Sequence, residues 1–343
     1  MEFQNYDKED INSLSKEELV EYLHKLALTK RLNFLLGSGV SSPAIPLMSQ
    51  VKADTRDMEK AKKAMRRKSV SEKQADNYKL ICIIKEVSKE IIGQKNTLVA
   101  SKKKRIKEKL EEYHDFIKTI SDVLNKSNSR EIPREANIFT TNYDLFIEKA
   151  VDKVLKETSL VFNDGARGYF KRYLNSSNFN RTVSYEGLNN NYIDELPSLS
   201  LIKPHGSVNW DKKGENILVK DRIISHPMVV PPDGFEGRTA FMDDHFHDML
   251  REFQLELDKQ ESVLFVLGFS FQDTHISKMV QRALNNRSLI IICFCWDKKN
   301  KKEYLKNLRY SIQPMNMKFI LPKQLNRNNL ELKDLTAVLK GKL

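Results

Sequence analysis

The 343 residues are 40% apolar and 30% charged, with only 12 Gly and 10 Pro, a composition that can bury a sizeable core and excludes disordered or fibrous chains. Three cysteines, Cys82, Cys293 and Cys295, with no Cys-x-x-Cys pair, exclude a disulfide framework and a thiolate zinc module. The net charge is +12, and from Lys298 to Leu343 a set of 12 Lys and Arg faces only Glu303, Glu331 and Asp334; such a segment attracts polyanions or acidic surfaces, or is simply a solvated face.

The acidic start "MEFQNYDKEDINS" is unlike a leader, and no apolar run approaches the roughly 18 residues of a membrane span, so a cytoplasmic protein with no membrane association is expected. Next, "SLSKEELVEYLHKLALTK" predicts a helix, because Ser15 and Glu18 form a capping box and Leu19, Leu23 and Leu26 recur at helical spacing. "RLNFLL" follows as a strand and breaks into "GSGVSS", a turn whose glycines let backbone approach a ligand closely. From about Lys52 to Ser129 the chain becomes Lys/Glu-rich with scattered aliphatics and no Pro, which predicts a helical insertion. Its basic runs carry both charge signs, as solvated helix faces do.

Pro133 precedes a strand and turn, "ANIFTTNYD", and the amphipathic helix "YDLFIEKAVDKVLK". Phe162 to Pro197 is rich in Asn, Gly, Ser and Tyr and reads as a long irregular excursion, part of a lid. "LSLIKPHGSVNW" resumes as a strand, while "SVLFVLGFSFQD" and "SLIIICFCW" are apolar runs typical of parallel strands buried on both faces, with the helix "THISKMVQRALNN" between them. This order predicts an α/β fold, a doubly wound Rossmann-like parallel sheet whose strand ends line one crevice. The domain reading is a core over 1–51 and 130–297, a helical insertion subdomain over 52–129, and a basic C-terminal segment over 298–343.

Thr141, Asn142 and Asp144 fall where a strand stops, placed to face a ligand, although Asn and Asp also cap helices and shape turns. His205, between Pro204 and Gly206, suits proton transfer near neutral pH or is a half-buried structural histidine. The glycine turn lacks the third Gly or Ala of a dehydrogenase fingerprint, which disfavours hydride transfer. His245 and His247 in "DDHFHDM" diverge if helical and do not share a metal. Cys293 and Cys295 alternate with bulky apolar residues, as packed thiols do.

Four pieces in order, "GSGVSSPAIP", "TTNYD", "KPHGSVNW" and "VLGFSFQDTHI", resemble the bacterial sirtuin-like (SIR2-family) NAD-cleaving domains of anti-phage defence, over about Leu32 to Trp296. The resemblance implies that Gly37, Ser38, Gly39 and Ser41 hold the pyrophosphate of NAD through backbone donors. It maps the family's Thr-x-Asn-x-Asp turn onto Thr140 or Thr141, Asn142 and Asp144, with Asn142 and His205 catalytic. Gly268 and Ser270 are implied near the adenine-side ribose, with Asp273 and His275 bracing their loop. The two Cys-x-x-Cys pairs of sirtuin deacylases are missing, so no zinc is expected and lysine deacetylation is disfavoured. The region after "AIPLM" lacks the deacylases' acidic-aromatic-arginine loop, and Ala44 stands where the family usually has Gly.

What the resemblance implies is an NAD glycohydrolase with NAD as substrate, the effector of an NAD-depleting defence system, forming a homo-oligomer and pairing with a HerA-type ATPase. Nucleic acid is a further partner, through basic surfaces or through the ATPase. The alternatives are an ADP-ribosyl or acyl transferase on the same fold, and a non-catalytic NAD or ADP-ribose binding subunit of a nucleic-acid complex.

Overall fold

The computed structural model describes residues 11–126, 133–179, 181–186, 193–230 and 240–343, with backbone alone for 185, 186, 193, 194 and 240–244. The Asn-rich part of the expected excursion at 187–192 thus lies outside the described residues, as do the side chains of Asp243 and Asp244. Helix α1 (Lys16–Thr29) begins at Ser15, whose hydroxyl accepts from the Glu18 amide while the Glu18 carboxylate accepts from the Ser15 amide. Strand β1 (Arg31–Leu36) follows directly.

The insertion forms α2 (Thr55–Met65), α3 (Glu72–Ile91) and α4 (Ala100–Lys126). Their starts are set by Asp54 and Ser71 capping boxes on α2 and α3. The Lys runs of α4 are largely solvated, yet Tyr113, Phe116, Ile117 and Ile120 on its other side are wholly buried. Phe116 stands edge-on to Phe34 of β1 at 5.3 Å, so this helix covers the sheet as a crossover helix would. Burial of such side chains contributes about 1.5–3 kcal/mol each.

Then come β2 (Glu135–Thr140), α5 (Phe146–Val154), β3 (Val161–Asn163), β4 (Ala166–Arg167), β5 (Arg172–Leu174), β6 (Ser184–Glu186), β7 (Ile193–Glu195), β8 (Ser198–Ile202), β9 (Trp210–Lys213) and β10 (Asn216–Val219). The excursion expected to be irregular thus carries several short strands joined by turns among its described residues. β4 and β5 join β10 and β9 in a four-stranded antiparallel sheet, and β6 pairs with β7. Strands of two or three residues are too short to show alternation in sequence.

The chain ends with α6 (Ala240–Asp258), β11 (Ser262–Leu267), α7 (Thr274–Ala283), β12 (Ile290–Phe294), α8 (Lys298–Asn307), β13 (Met317–Ile320) and α9 (Leu332–Leu339). The main sheet runs β13-β12-β11-β1-β2-β8-β3, and every pairing in it is parallel. Alternation along the strands sorts the core into two layers. Leu32, Phe34 and Leu36 face the layer of α1, α3, α4, α5 and α9, while Leu35 faces that of α6, α7 and α8. The basic segment 298–343 adds the edge strand β13 to this sheet. Its helix α9 buries Leu335, Val338 and Leu339 against α1 and α4, and most of the segment's cations stay in solvent while Lys318 of β13 is buried. Among the described residues no helix is long and apolar enough to cross a membrane.

Candidate functional site

The carboxyl ends of β1, β2, β8 and β11 meet at one rim, where parallel α/β sheets hold ligands. β1 runs into a 3-10 turn, Ser38–Ser41, pressed against the end of β11. A Cβ on Gly37 would lie 2.3 Å from the Gly268 carbonyl oxygen, and one on Gly39 would lie 2.8 Å from the Gly268 Cα. Only glycine permits this approach. The Gly37 amide donates to the Leu267 carbonyl at 3.0 Å and the Gly39 amide to Gly268 at 3.1 Å. The expected donation from these two amides to a ligand thus meets a competitor, since the carbonyls of Leu267 and Gly268 already accept from them. Ser38, at the first position of the turn, has no intrahelical acceptor for its amide.

β2 ends at Thr140, whose hydroxyl donates to the Leu36 carbonyl (2.8 Å) and accepts from the Asn142 amide (3.1 Å). Thr140 is thus a brace, and Thr141 is the threonine that faces the cleft. Asn142 Nδ2 donates to the Gly37 carbonyl at 3.0 Å and to Ser41 Oγ at 3.3 Å. A carbonyl only accepts, which fixes the amide's orientation and leaves Oδ1 as the uncommitted acceptor among the described residues.

Ser41 is 1% exposed, and its single hydroxyl proton goes to Asp144 Oδ2 at 2.9 Å. The Tyr113 hydroxyl, 2.9 Å away, therefore donates to Ser41. Burial holds that phenol well above its ordinary value, so it stays protonated. Asp144 Oδ1 also accepts from the Phe146 amide at 3.3 Å. Burial raises its carboxyl, against the pull of Lys203 and the Ser41 hydrogen bond. Both Ser41 and Asp144 border the cleft, but Ser41 Oγ already holds Asn142 Nδ2 and Asp144 holds Ser41 and the Phe146 amide. Buried Lys203 ties β8 to this turn, donating to the Asp144 carbonyl (2.6 Å), Glu148 Oε1 (2.7 Å) and Ser207 Oγ (3.1 Å).

His205 follows β8, and Gly206 beside it takes φ 84°, a conformation that places the imidazole at the rim. Its Nε2 lies 3.0 Å from Asp273 Oδ2, and its ring leans on Phe246 at 5.6 Å. Asp273 also caps α7, Oδ1 accepting from the amides of His275 (2.9 Å) and Ile276 (3.0 Å). Burial alone would raise the Asp273 carboxyl. The His205 hydrogen bond, its charge and the two amides outweigh burial and hold the carboxyl below the usual range. An ionised Asp273 keeps the proton on Nε2 and leaves Nδ1 as the acceptor.

Ser38, Ser41, Thr141, Asn142, Asp144 and His205 line one cleft of about 420 Å³. A second, of about 470 Å³, is lined by Ser38, Gly39, Gly268 and Ser270 and reaches Trp296. The two share Ser38, Met48 and Gln272, so they adjoin across the glycine turn. Gly37 lines neither and acts through its carbonyl on Asn142. Sequence reading missed Tyr113, Lys203 and the pairing of Asp273 with His205. Lys203 and Asp273 stand inside quoted motifs, but Tyr113 lies in the insertion with no local signal.

His245 and His247 diverge on α6, the first buried and the second exposed. Cys293 and Cys295 are buried in packing, and burial pushes both thiols up, Cys295 to about 12. Among the described residues no three His, Cys, Asp or Glu side chains gather as a metal site.

Residues 136–314, just over half of the chain, match the model of the SIR2-like domain. No curated protein matches the chain. The matched span holds β2, β8, β11 and β12 with Asn142, His205 and Asp273, while β1 and the glycine turn reach the same rim from before the insertion. This family includes NAD-dependent enzymes, and its domain implies NAD binding. With a parallel Rossmann-like sheet, a glycine turn at its centre and the matched motifs around one rim, the chain belongs to the SIR2-like family.

Proposed function

We propose that the protein is an NAD glycohydrolase that releases nicotinamide and ADP-ribose, the NAD-depleting effector of a prokaryotic anti-phage defence system. In this reading it works as a homo-oligomer and is controlled by assembly with a HerA-type ATPase. The observation that carries the catalytic part is that Asn142, with its uncommitted Oδ1, and His205, held by Asp273, border the same cleft. The adjoining cleft beside Gly268 and Ser270 gives the rest of a dinucleotide somewhere to lie.

The chemistry asks little covalent work of the protein. As the C1′–N bond breaks, its electron pair goes to the pyridinium ring, nicotinamide leaves neutral, and positive charge spreads over C1′ and the ribose ring oxygen. Asn142 Oδ1 accepts a hydrogen bond from the attacking water or a ribose hydroxyl and so fixes the reacting partners. His205 Nδ1 takes the proton that the water loses as its oxygen bonds to C1′, a role worth about a hundred- to ten-thousand-fold.

Purified full-length chain, alone and with a HerA-type ATPase, is to be incubated with NAD while nicotinamide is measured. Release that falls at least about a hundredfold in Asn142→Ala and His205→Ala, with unchanged melting, supports the reading. Intact NAD under every condition, equal loss in both variants, or label from NAD appearing on protein in place of free ADP-ribose sinks it.

A further inference from the structure

The β4–β5 hairpin carries a turn, residues 168–171, that the site does not use. Its central side chains, Tyr169 and Phe170, are 89% and 94% exposed, and they meet edge to face at 4.7 Å. The fold does not ask for these rings. Ala166 and Leu174 are the hairpin residues that pack with Trp210 of the small sheet. Gly168, at φ 126°, sets the turn, and a Cβ there would lie 2.1 Å from the Lys171 carbonyl oxygen. A turn of small polar residues would serve equally, so two aromatic rings held in water point to a ligand.

The flanking cations, Arg167 and Lys171, are exposed and form no ion pair with another described residue. Tyr173, paired with Arg167 across the hairpin, adds a third ring that is 40% exposed. Arg172, by contrast, is committed to Asp164 at 2.7 Å. The stretch "RGYFKRY" therefore presents alternating aromatic faces and free positive charge at one tip.

We propose that this hairpin binds single-stranded nucleic acid, with bases stacking on Tyr169 and Phe170 and phosphates paired with Arg167 and Lys171. Every base has a π-face, and stacking on aromatic side chains combined with backbone neutralisation is how unpaired strands are held without sequence preference. A lipid surface fits less well, since the cations and the Tyr169 hydroxyl sit among the rings and leave no purely apolar tip to enter the hydrocarbon. The same tip of a second copy would set like charges against each other. This inference is independent of the proposed NAD chemistry.

The test uses full-length protein and a fluorescent oligothymidylate of roughly 16 nucleotides, with anisotropy measured over a salt series. The Tyr169→Ala/Phe170→Ala double variant is expected to bind at least about tenfold more weakly while keeping the salt slope. Arg167→Gln/Lys171→Gln is expected to lower the slope of log affinity against log salt by about 1.4, for two phosphates. Both variants sit at an exposed turn, so melting should be unchanged. No binding of the oligonucleotide, equal binding by the aromatic variant, or tighter binding to phosphatidylserine vesicles than to the oligonucleotide overturns the proposal. So does a change in oligomeric state on sedimentation with oligonucleotide affinity intact.

Discussion

Asp273 makes two sets of contacts with separate oxygens: Oδ1 holds the first amides of α7, and Oδ2 holds His205 Nε2. Replacement by Asn separates them. In Asp273→Asn the amide oxygen can still cap α7, while the amide nitrogen facing Nε2 can only donate. His205 then carries its proton on Nδ1, the atom at which it must accept one as the proposed base. The expected outcome is a fall in the rate of NAD cleavage of about a hundred- to ten-thousand-fold with KM little moved and stability within about 1 kcal/mol. Steady-state kinetics and a denaturant titration check it, and a purely capping Asp273 would leave the rate intact. The pairing was not legible in the sequence because 68 positions separate His205 from Asp273, and no local pattern encodes their approach.

At the scale of elements, the site depends on the end of β1 touching the end of β11, and that contact rests on missing side chains. Gly37 has an ordinary negative φ of −102°, so alanine there meets no backbone strain, only the Gly268 carbonyl in its path. Because that obstacle is backbone, Gly37→Ala is expected to cost about 1–3 kcal/mol by displacing the turn. Asn142 would lose its 3.0 Å bond to the Gly37 carbonyl as well. Urea unfolding should show the loss, and calorimetry should show weakened NAD binding; wild-type values in both would mean that the two ends yield freely.

The same elements show what sequence can and cannot reveal. β1, β11 and β12 were legible because strands buried on both faces are continuous apolar runs, and α1 because its cap is local. The β4–β5 and β9–β10 sheet was not, since β5 finds β10 more than 40 positions later. α4 was legible as a helix, but not as the layer that supplies Tyr113 to Ser41, because its Lys-rich face dominates the composition.

At the scale of the whole molecule, the α6 layer and the small sheet meet at His245, a residue of α6 whose ring touches Trp210 of β9. Its ring stands edge-on to Trp210 at 5.2 Å, close to the Lys203 backbone and Asp248, and its Nε2 has no hydrogen-bond partner among the described residues. Burial pushes this imidazole from 6.5 down to about 4, against the smaller upward pull of the Lys203 backbone and Asp248. The sign of the consequence follows from proton counting. Between those two values the unfolded chain binds a proton that the folded chain refuses, so stability falls as pH drops through this window. The loss by pH 4 is about 3 kcal/mol, the free energy of some two and a half pKa steps. Asp144 and Glu148, whose carboxyls burial holds up against the pull of Lys203, act in the opposite direction. The wild-type curve alone therefore cannot isolate the histidine. The difference in unfolding free energy between wild type and His245→Gln can, because the carboxylates are common to both. That difference is expected to move by about 3 kcal/mol against the wild type between pH 7 and pH 4. A difference that stays constant over this range would mean that His245 accepts its proton without leaving its place between α6 and the small sheet.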